Sequence, residues 1–157
     1  MKPKYHIICG ALFSICLFLI FNYLQIPITT FQLLIIFFSS VLIDVDHYAY
    51  YVFIKKNFNL IKAYNWFVRK RKKWIRISIE ERKKYKNPIL IFHGIEFWIL
   101  LLILSFYYKP FWFILIGVFF HLFLDYIDLI YYHEKLYIKF SQILVYIFNK
   151  KRISFYA

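Results

Sequence analysis

Four stretches of the chain are apolar almost without interruption: residues 5–24, 31–54, 89–108 and 111–132. Each holds 20 to 24 residues, and about 20 residues cross the hydrocarbon core of a bilayer as a helix. Lipid gives backbone groups no hydrogen-bond partner, so segments of this kind are expected as α-helices. A polar, basic stretch, 55–88, separates the second run from the third, and a tail, 133–157, follows the fourth. The tail contains "LYIKFSQILVYIFNKKR", whose apolar part is short for a crossing and is interrupted by Lys139. It predicts an amphipathic helix lying in the membrane interface. The whole pattern predicts an all-α polytopic membrane protein: one integral-membrane domain, 1–157, with a bundle of four transmembrane helices, a basic cytoplasmic loop and an interfacial C-terminal helix.

Composition agrees. The chain is 62% hydrophobic and 25% aromatic, whereas soluble domains run at about 45–50% apolar. The first run follows Lys2 and Lys4 as a signal peptide would, but it lacks a small-residue cleavage site and reads as a retained helix. Cys9 and Cys16, seven apart on that helix, read as reduced, packed thiols.

Charge sets the expected orientation. Of 21 Lys and Arg, 13 fall in 55–88, which includes "VRKRKKWIR", while the connection 25–30 has none and the turn at 109–110 has Lys109 alone. The positive-inside rule puts both termini and the basic loop in the cytoplasm, with the spans in the cell's inner or plasma membrane. Trp66 and Trp74 among those cations also fit a segment resting on membrane lipids and their anionic head groups. No recognition motif points to nucleic acid, which is not an expected partner.

The polar residues inside the spans change the picture most. Five of the eight Asp and Glu lie there, Asp44, Asp46, Glu96, Asp125 and Asp128, as do four of the five histidines, His6, His47, His93 and His121. No Lys or Arg lies in the four runs, and one isolated charge at the bilayer centre costs at least about 2.5–3.5 kcal/mol. Helical spacing groups the residues. His93 and Glu96 share a face, as do His121, Asp125 and Asp128, and Asp44 with His47; Asp46 points elsewhere on a regular helix. Gly10, four residues after His6, leaves room for close helix contact. At about 1.5 Å per residue, most of these groups fall about 10–15 Å inside the cytoplasmic boundary, with His6 nearer the interface.

Two readings neutralise such a cluster. One is a protonated, hydrogen-bonded network that holds the bundle together. The other, which leads, is a divalent metal centre of one or two ions. Nitrogen and oxygen donors without cysteine suit Zn²⁺ first, then Mn²⁺ or Fe, and bound cations supply the positive charge that the spans lack. The expected ligands are His6, Asp44, His47, His93, His121, Asp125 and Asp128, with Glu96 and Asp46 in catalytic roles, as general base or as support for a ligand.

"HIICG" at 6–10, "DVDH" at 44–47, His93 opening a later helix and "HLFLD" at 121–125 together resemble the YdjM-like membrane-bound metal-dependent hydrolases. That family's pattern runs His-x-x-x-Gly, Pro-Asp-x-Asp-His, His-Ser and His-x-x-x-Asp. Here Ile43 stands where the proline is common, and Gly94 follows His93 in place of serine. The resemblance implies a small inner-membrane protein with hydrolase chemistry, and it does not name a substrate. A site sunk in the cytoplasmic leaflet suits a lipid-like amphiphile, with a phosphoester as the leading bond class. A metal-ion or proton transporter, and a structural or partner-binding membrane protein without catalysis, are the alternatives. The outer ends of the first and fourth runs, "FLIFNYL" and "FWFILIG", offer a transporter almost no polar route.

Overall fold

The structure is a computed structural model that describes residues 3–155; Lys2, used in the charge argument, lies outside them. The described residues are helical, with one isolated parallel bridge between Tyr85 and Ile153. Helix α1 spans Pro3–Tyr23, α2 Thr30–Leu42 and α3 Val45–Lys55. Helix α4 follows at Leu60–Arg76, then the short α5 at Ile79–Arg82 and a 3₁₀ turn at Ile91–His93. Helices α6 (Ile95–Tyr107), α7 (Pro110–Tyr131), α8 (Tyr137–Phe140) and α9 (Gln142–Asn149) complete the chain.

Local chemistry starts these helices where the sequence allows. Thr29 and Gln32 form a reciprocal capping box at the start of α2. Asn59 caps α4 by accepting from the Lys62 amide at 2.9 Å. Pro110 opens α7, where its missing amide hydrogen costs nothing.

Three segments are long and apolar enough to cross a membrane: Lys4–Tyr23, Thr30–Lys55 and Pro110–Tyr131. They carry their apolar side chains outward. Leu12, Ile15 and Leu19 of α1 and Phe119, Phe123 and Ile130 of α7 are exposed, while His121 and Asp125 of α7 are buried. Such an inside-out distribution belongs to a membrane protein. Helix α9 repeats it, with Gln142, Val145 and Asn149 inward and Ile143, Tyr146, Ile147 and Phe148 outward.

The third apolar run departs from a full-length helix. Helix α6 has 13 residues, about 20 Å at the standard rise, and residues 86–90 before the 3₁₀ turn are not helical. Polar side chains serve the amides of this stretch. Asn149 Oδ1 accepts from the Asn87 amide at 3.0 Å, Gln142 Oε1 from Leu90 at 2.8 Å and Asp46 Oδ2 from Phe92 at 3.2 Å. A four-span bundle is therefore matched in part: three long helices are present, and the third run pairs a short helix with irregular backbone whose amides are served by protein side chains.

Helix α7 packs against α2 and α6, and α1 against α2 and α7. Small residues set the spacing. A Cβ at Gly117 would collide with Ser39 Oγ and the Ile36 carbonyl, and one at Gly10 with Ser40 Oγ. The backbones of α1, α2 and α7 approach closely at these points, which brings His6 and His121 together.

Candidate metal centre

The second apolar run bends where the site begins. Between α2 and α3, Asp44 has φ −68° and ψ −1°, and its carbonyl accepts from the His47 amide at 3.0 Å. That three-residue bond replaces the regular four-residue ladder, and no proline is present. On an uninterrupted helix Asp44 and Asp46 would diverge by about 200°. The bend lets both address His93 instead. Asp46 Oδ2 lies 2.9 Å from His93 Nδ1, and Asp44 Oδ1 lies 3.6 Å from His93 Nε2.

His93 is carried by the 3₁₀ turn just ahead of α6, and it is fully buried. Helix α7 supplies His121 and Asp125 one turn apart, both buried. His121 Nδ1 donates to the Ser40 carbonyl at 2.8 Å. A carbonyl can only accept, so this bond places the hydrogen on Nδ1 and leaves Nε2 to face the cluster. Asp46 does the same for His93. His6, from the first turns of α1, stacks on His121 with ring centroids 4.0 Å apart.

The remaining donor atoms converge. His93 Nε2 and His121 Nε2 each lie 3.3 Å from Asp125 Oδ2, and His121 Nε2 lies 3.5 Å from Asp44 Oδ1. His47 Nε2 is 3.5 Å from the same Asp44 oxygen, and His6 Nε2 is 3.5 Å from Asp125 Oδ1. Two sets, His6–His121–Asp125 and Asp44–His47–His93, each have their donor atoms within 4.8 Å of one another. The contacts His121–Asp44 and His93–Asp125 fuse them into one cluster.

Does a metal fit it? Nε2 of His6, His93 and His121 is buried without a hydrogen-bond partner among the described residues, an expensive condition for a polar atom. Four of the imidazole-to-carboxylate separations among His93, His121, Asp44 and Asp125 run from 3.3 to 3.6 Å. Donors held tetrahedrally at about 2.1 Å from a zinc-sized ion stand about 3.4 Å apart. Donor type, spacing and unsatisfied nitrogens all fit a divalent ion.

Of the nine residues expected at the site, six enter the cluster and Asp46 stands behind it, holding His93. Two are placed elsewhere. Asp128 takes Arg71 of α4 through both carboxylate oxygens, at 2.8 and 2.7 Å, and belongs to neither donor set. Glu96 accepts from Ser141 Oγ at 2.6 Å and from the Gln142 and Ile143 amides at 3.2 Å. Its negative charge therefore sits on the N-terminus of α9, where the helix dipole favours it. Asp128 and Glu96 thus lie outside both donor sets, each paired with groups from outside the four runs, while Asp128 still lines the cavity beside the cluster.

One residue was missed by the sequence reading. Lys139 of α8 is buried, with Nζ 3.0 Å from Asp125 Oδ2. The four apolar runs contain no Lys or Arg, but the inference that their carboxylates lack basic partners does not hold. The tail folds Lys139 inward, and α4 brings Arg71. The visible signal was a lone lysine interrupting an apolar tail.

A cavity of about 460 Å³ opens beside the cluster. Asp44, His47, Asp125 and Lys139 line it at the cluster end, and Leu60, Phe67, Val68, Ile75 and Leu129 line its apolar remainder. Helix α4 forms its roof. Arg82 pins the far end of that roof, donating to the Trp74, Ile75 and Ile77 carbonyls, to Tyr132 O and to Glu134 Oε1. Lys70 donates to the Phe155 carbonyl at 3.1 Å.

Comparison with family models, curated proteins and solved structures gives no match for this chain.

The arrangement around His93 yields a first prediction. Asp46→Asn keeps an acceptor near His93 Nδ1 but removes the charge that makes its Nε2 a strong donor. Metal affinity is expected to fall by about 10–100-fold, with the protein still folded. Titration of the purified variant with Zn²⁺ checks this, and unchanged affinity would separate Asp46 from the centre.

Proposed function

We propose that the protein is a membrane-embedded, metal-dependent hydrolase acting on a lipid-like substrate, with a phosphoester as the leading bond class. The observation that carries this is the convergence of buried, unsatisfied imidazole nitrogens and two carboxylates beside an apolar cavity. His93, His121, Asp44 and Asp125 would hold the ion, with His6 and His47 completing its surroundings. Zn²⁺ suits this donor set best, with Mn²⁺ or Fe next. A divalent ion there supplies Lewis acidity and lowers the pKa of a water molecule toward neutrality.

The chain's own residues do the rest. Asp46 and the Ser40 carbonyl fix the rings of His93 and His121. His47 lines the cavity with Nε2 3.5 Å from Asp44 Oδ1, and at that nitrogen it can exchange a proton with a bound substrate. Lys70, Arg71 and Lys139 share the cavity lining with Asp44, Asp125, Asp128 and Glu134; a bound divalent ion would tip that balance to net positive, which favours an anionic head group. The apolar wall accepts a hydrocarbon portion and excludes water. The test is turnover by the purified, Zn²⁺-loaded protein of phosphoester, ester and amide amphiphiles. Metal-dependent phosphoester cleavage is expected. A metal-loaded protein inactive on all three classes would sink the reading and favour transport.

The same proposal fixes a topology. Helices α1, α2–α3 and α7 each cross the inner membrane, and α6 with the irregular segment before it makes the fourth crossing. Non-helical backbone is tolerated at membrane depth where protein buries it, and Asn149, Gln142 and Asp46 serve that segment's amides. Both termini and the basic helix α4 then lie on the cytoplasmic side, with α4 and α9 touching anionic lipid. In a background carrying Cys9→Ser and Cys16→Ser, Ile28→Cys should react with an impermeant thiol reagent from outside intact cells. Labelling of position 28 only after the cells are opened would overturn this topology.

A further inference from the structure

We propose that the centre takes one divalent ion, and that the Lys139 ammonium is its second positive pole. The inference rests on the hydrolase reading and sharpens it, because the sequence leaves one and two ions equally open.

Charge leads to it first. Three aspartates address the cluster: Asp44 and Asp125 through their contacts with the Nε2 atoms, and Asp46 through His93 Nδ1. The other carboxylates nearby are taken, Asp128 by Arg71, Glu134 by Arg82 and Glu96 by the start of α9. Histidines bind metal as neutral rings. Three negative charges against the one positive charge of Lys139 leave a deficit of two, which is that of a single divalent ion. A second ion would leave two positive charges uncompensated among buried groups, where unpaired charge is most costly.

Geometry leads to the same place. Asp125 Oδ2 meets His93 and His121 Nε2 at 3.3 Å, and it meets Lys139 Nζ at 3.0 Å. Had Asp125 bridged two ions through this oxygen, the second would compete with the ammonium for it. Lys139 is also part of the cavity lining, together with Asp44 and His47. It thus offers a second positive group to the cavity, held by the same carboxylate that faces the two histidines. In two-ion enzymes the two cations clamp the attacking and leaving oxygens; here an ion held by His93, His121, Asp44 and Asp125 would share that task with the Lys139 ammonium, and an anionic oxygen of the substrate is the group they would recognise. Lys139 comes from α8, so the short helix of the tail completes the centre.

Metal stoichiometry tests this without any assay of turnover. Full-length protein in neutral detergent is saturated with Zn²⁺, passed over a chelating resin and analysed for zinc per chain by mass spectrometry. The wild type should retain one ion. Lys139→Met leaves a deficit of three that one ion no longer meets, and it opens the side of Asp125 that the ammonium held, so this variant should take up a second ion. Lys139→Arg should return to one. Thermal unfolding of the same samples shows that each variant is folded. If Lys139→Met does not fold, Lys139→Gln takes its place. Two ions in the wild type would overturn the proposal and leave the hydrolase reading standing. One ion in both the wild type and the folded, uncharged variant would overturn it too. No ion in the wild type would remove this proposal and the metal centre together.

Discussion

His121→Ala is expected to strip the protein of its metal and abolish turnover, while the protein still inserts in the membrane. His121 Nε2 touches Asp44 at 3.5 Å and Asp125 at 3.3 Å, so it joins the two halves of the cluster. Its loss should exceed the roughly 100-fold effect that removing a mere supporting group produces. The substitution also leaves the Ser40 carbonyl without its donor and His6 without its stacking partner, so some stability is lost as well. Asp125→Asn reaches the centre by another route. It keeps the side chain's volume and leaves the His121–Ser40 bond and the His6–His121 stack in place. It removes a negative charge at the centre, however, and leaves the buried Lys139 ammonium without its carboxylate, so metal content and melting temperature should both fall. Metal analysis, turnover and thermal unfolding on the same preparations decide the matter. Full activity in the double variant under metal-free conditions would rule out a metal mechanism at this site.

Chelation should give the second large effect. A ligand that binds only the folded state stabilises it by mass action, by about 4 kcal/mol at a thousand times its dissociation constant. Removal of metal should therefore lower the melting temperature well beyond what the detergent alone produces, and added Zn²⁺ should restore it. The sign with pH follows from competition. Histidine binds metal when neutral, so occupancy and the stability that comes with it are full above the imidazole reference pKa of about 6.5, and both fall as the pH drops through that region. A hydrogen-bonded network with no ion gives a different result: a melting temperature indifferent to chelator in protein shown to contain no metal.

Much of this arrangement was legible in the sequence, because it depends on local periodicity. Apolar run length gave the long helices, and the rise per residue brought His6, Asp44, His93, His121 and Asp125 to one end of the bundle. What stayed hidden depends on contacts between distant segments. Asp128 sits on the same helix face as His121 and Asp125, and spacing alone could not show that Arg71 would claim it. Glu96 stands three residues from His93, but the chain turns at Gly94, so a shared helix never forms. The bend at Asp44 has no proline to announce it. Lys139 lay in a segment read as interfacial, and nothing local indicated that it would turn inward.

The involvement of Lys139 bears on the order in which the protein is made. A chain emerges from the ribosome N-terminus first, so His6 enters the membrane early, the three cluster aspartates follow, and the lysine that meets Asp125 comes late. Until α8 arrives those carboxylates have neither their ammonium nor the packed tail around them. If the cluster binds an ion as proposed, a nascent chain released just before residue 139 would carry every proposed ligand and still lack the ammonium that meets Asp125.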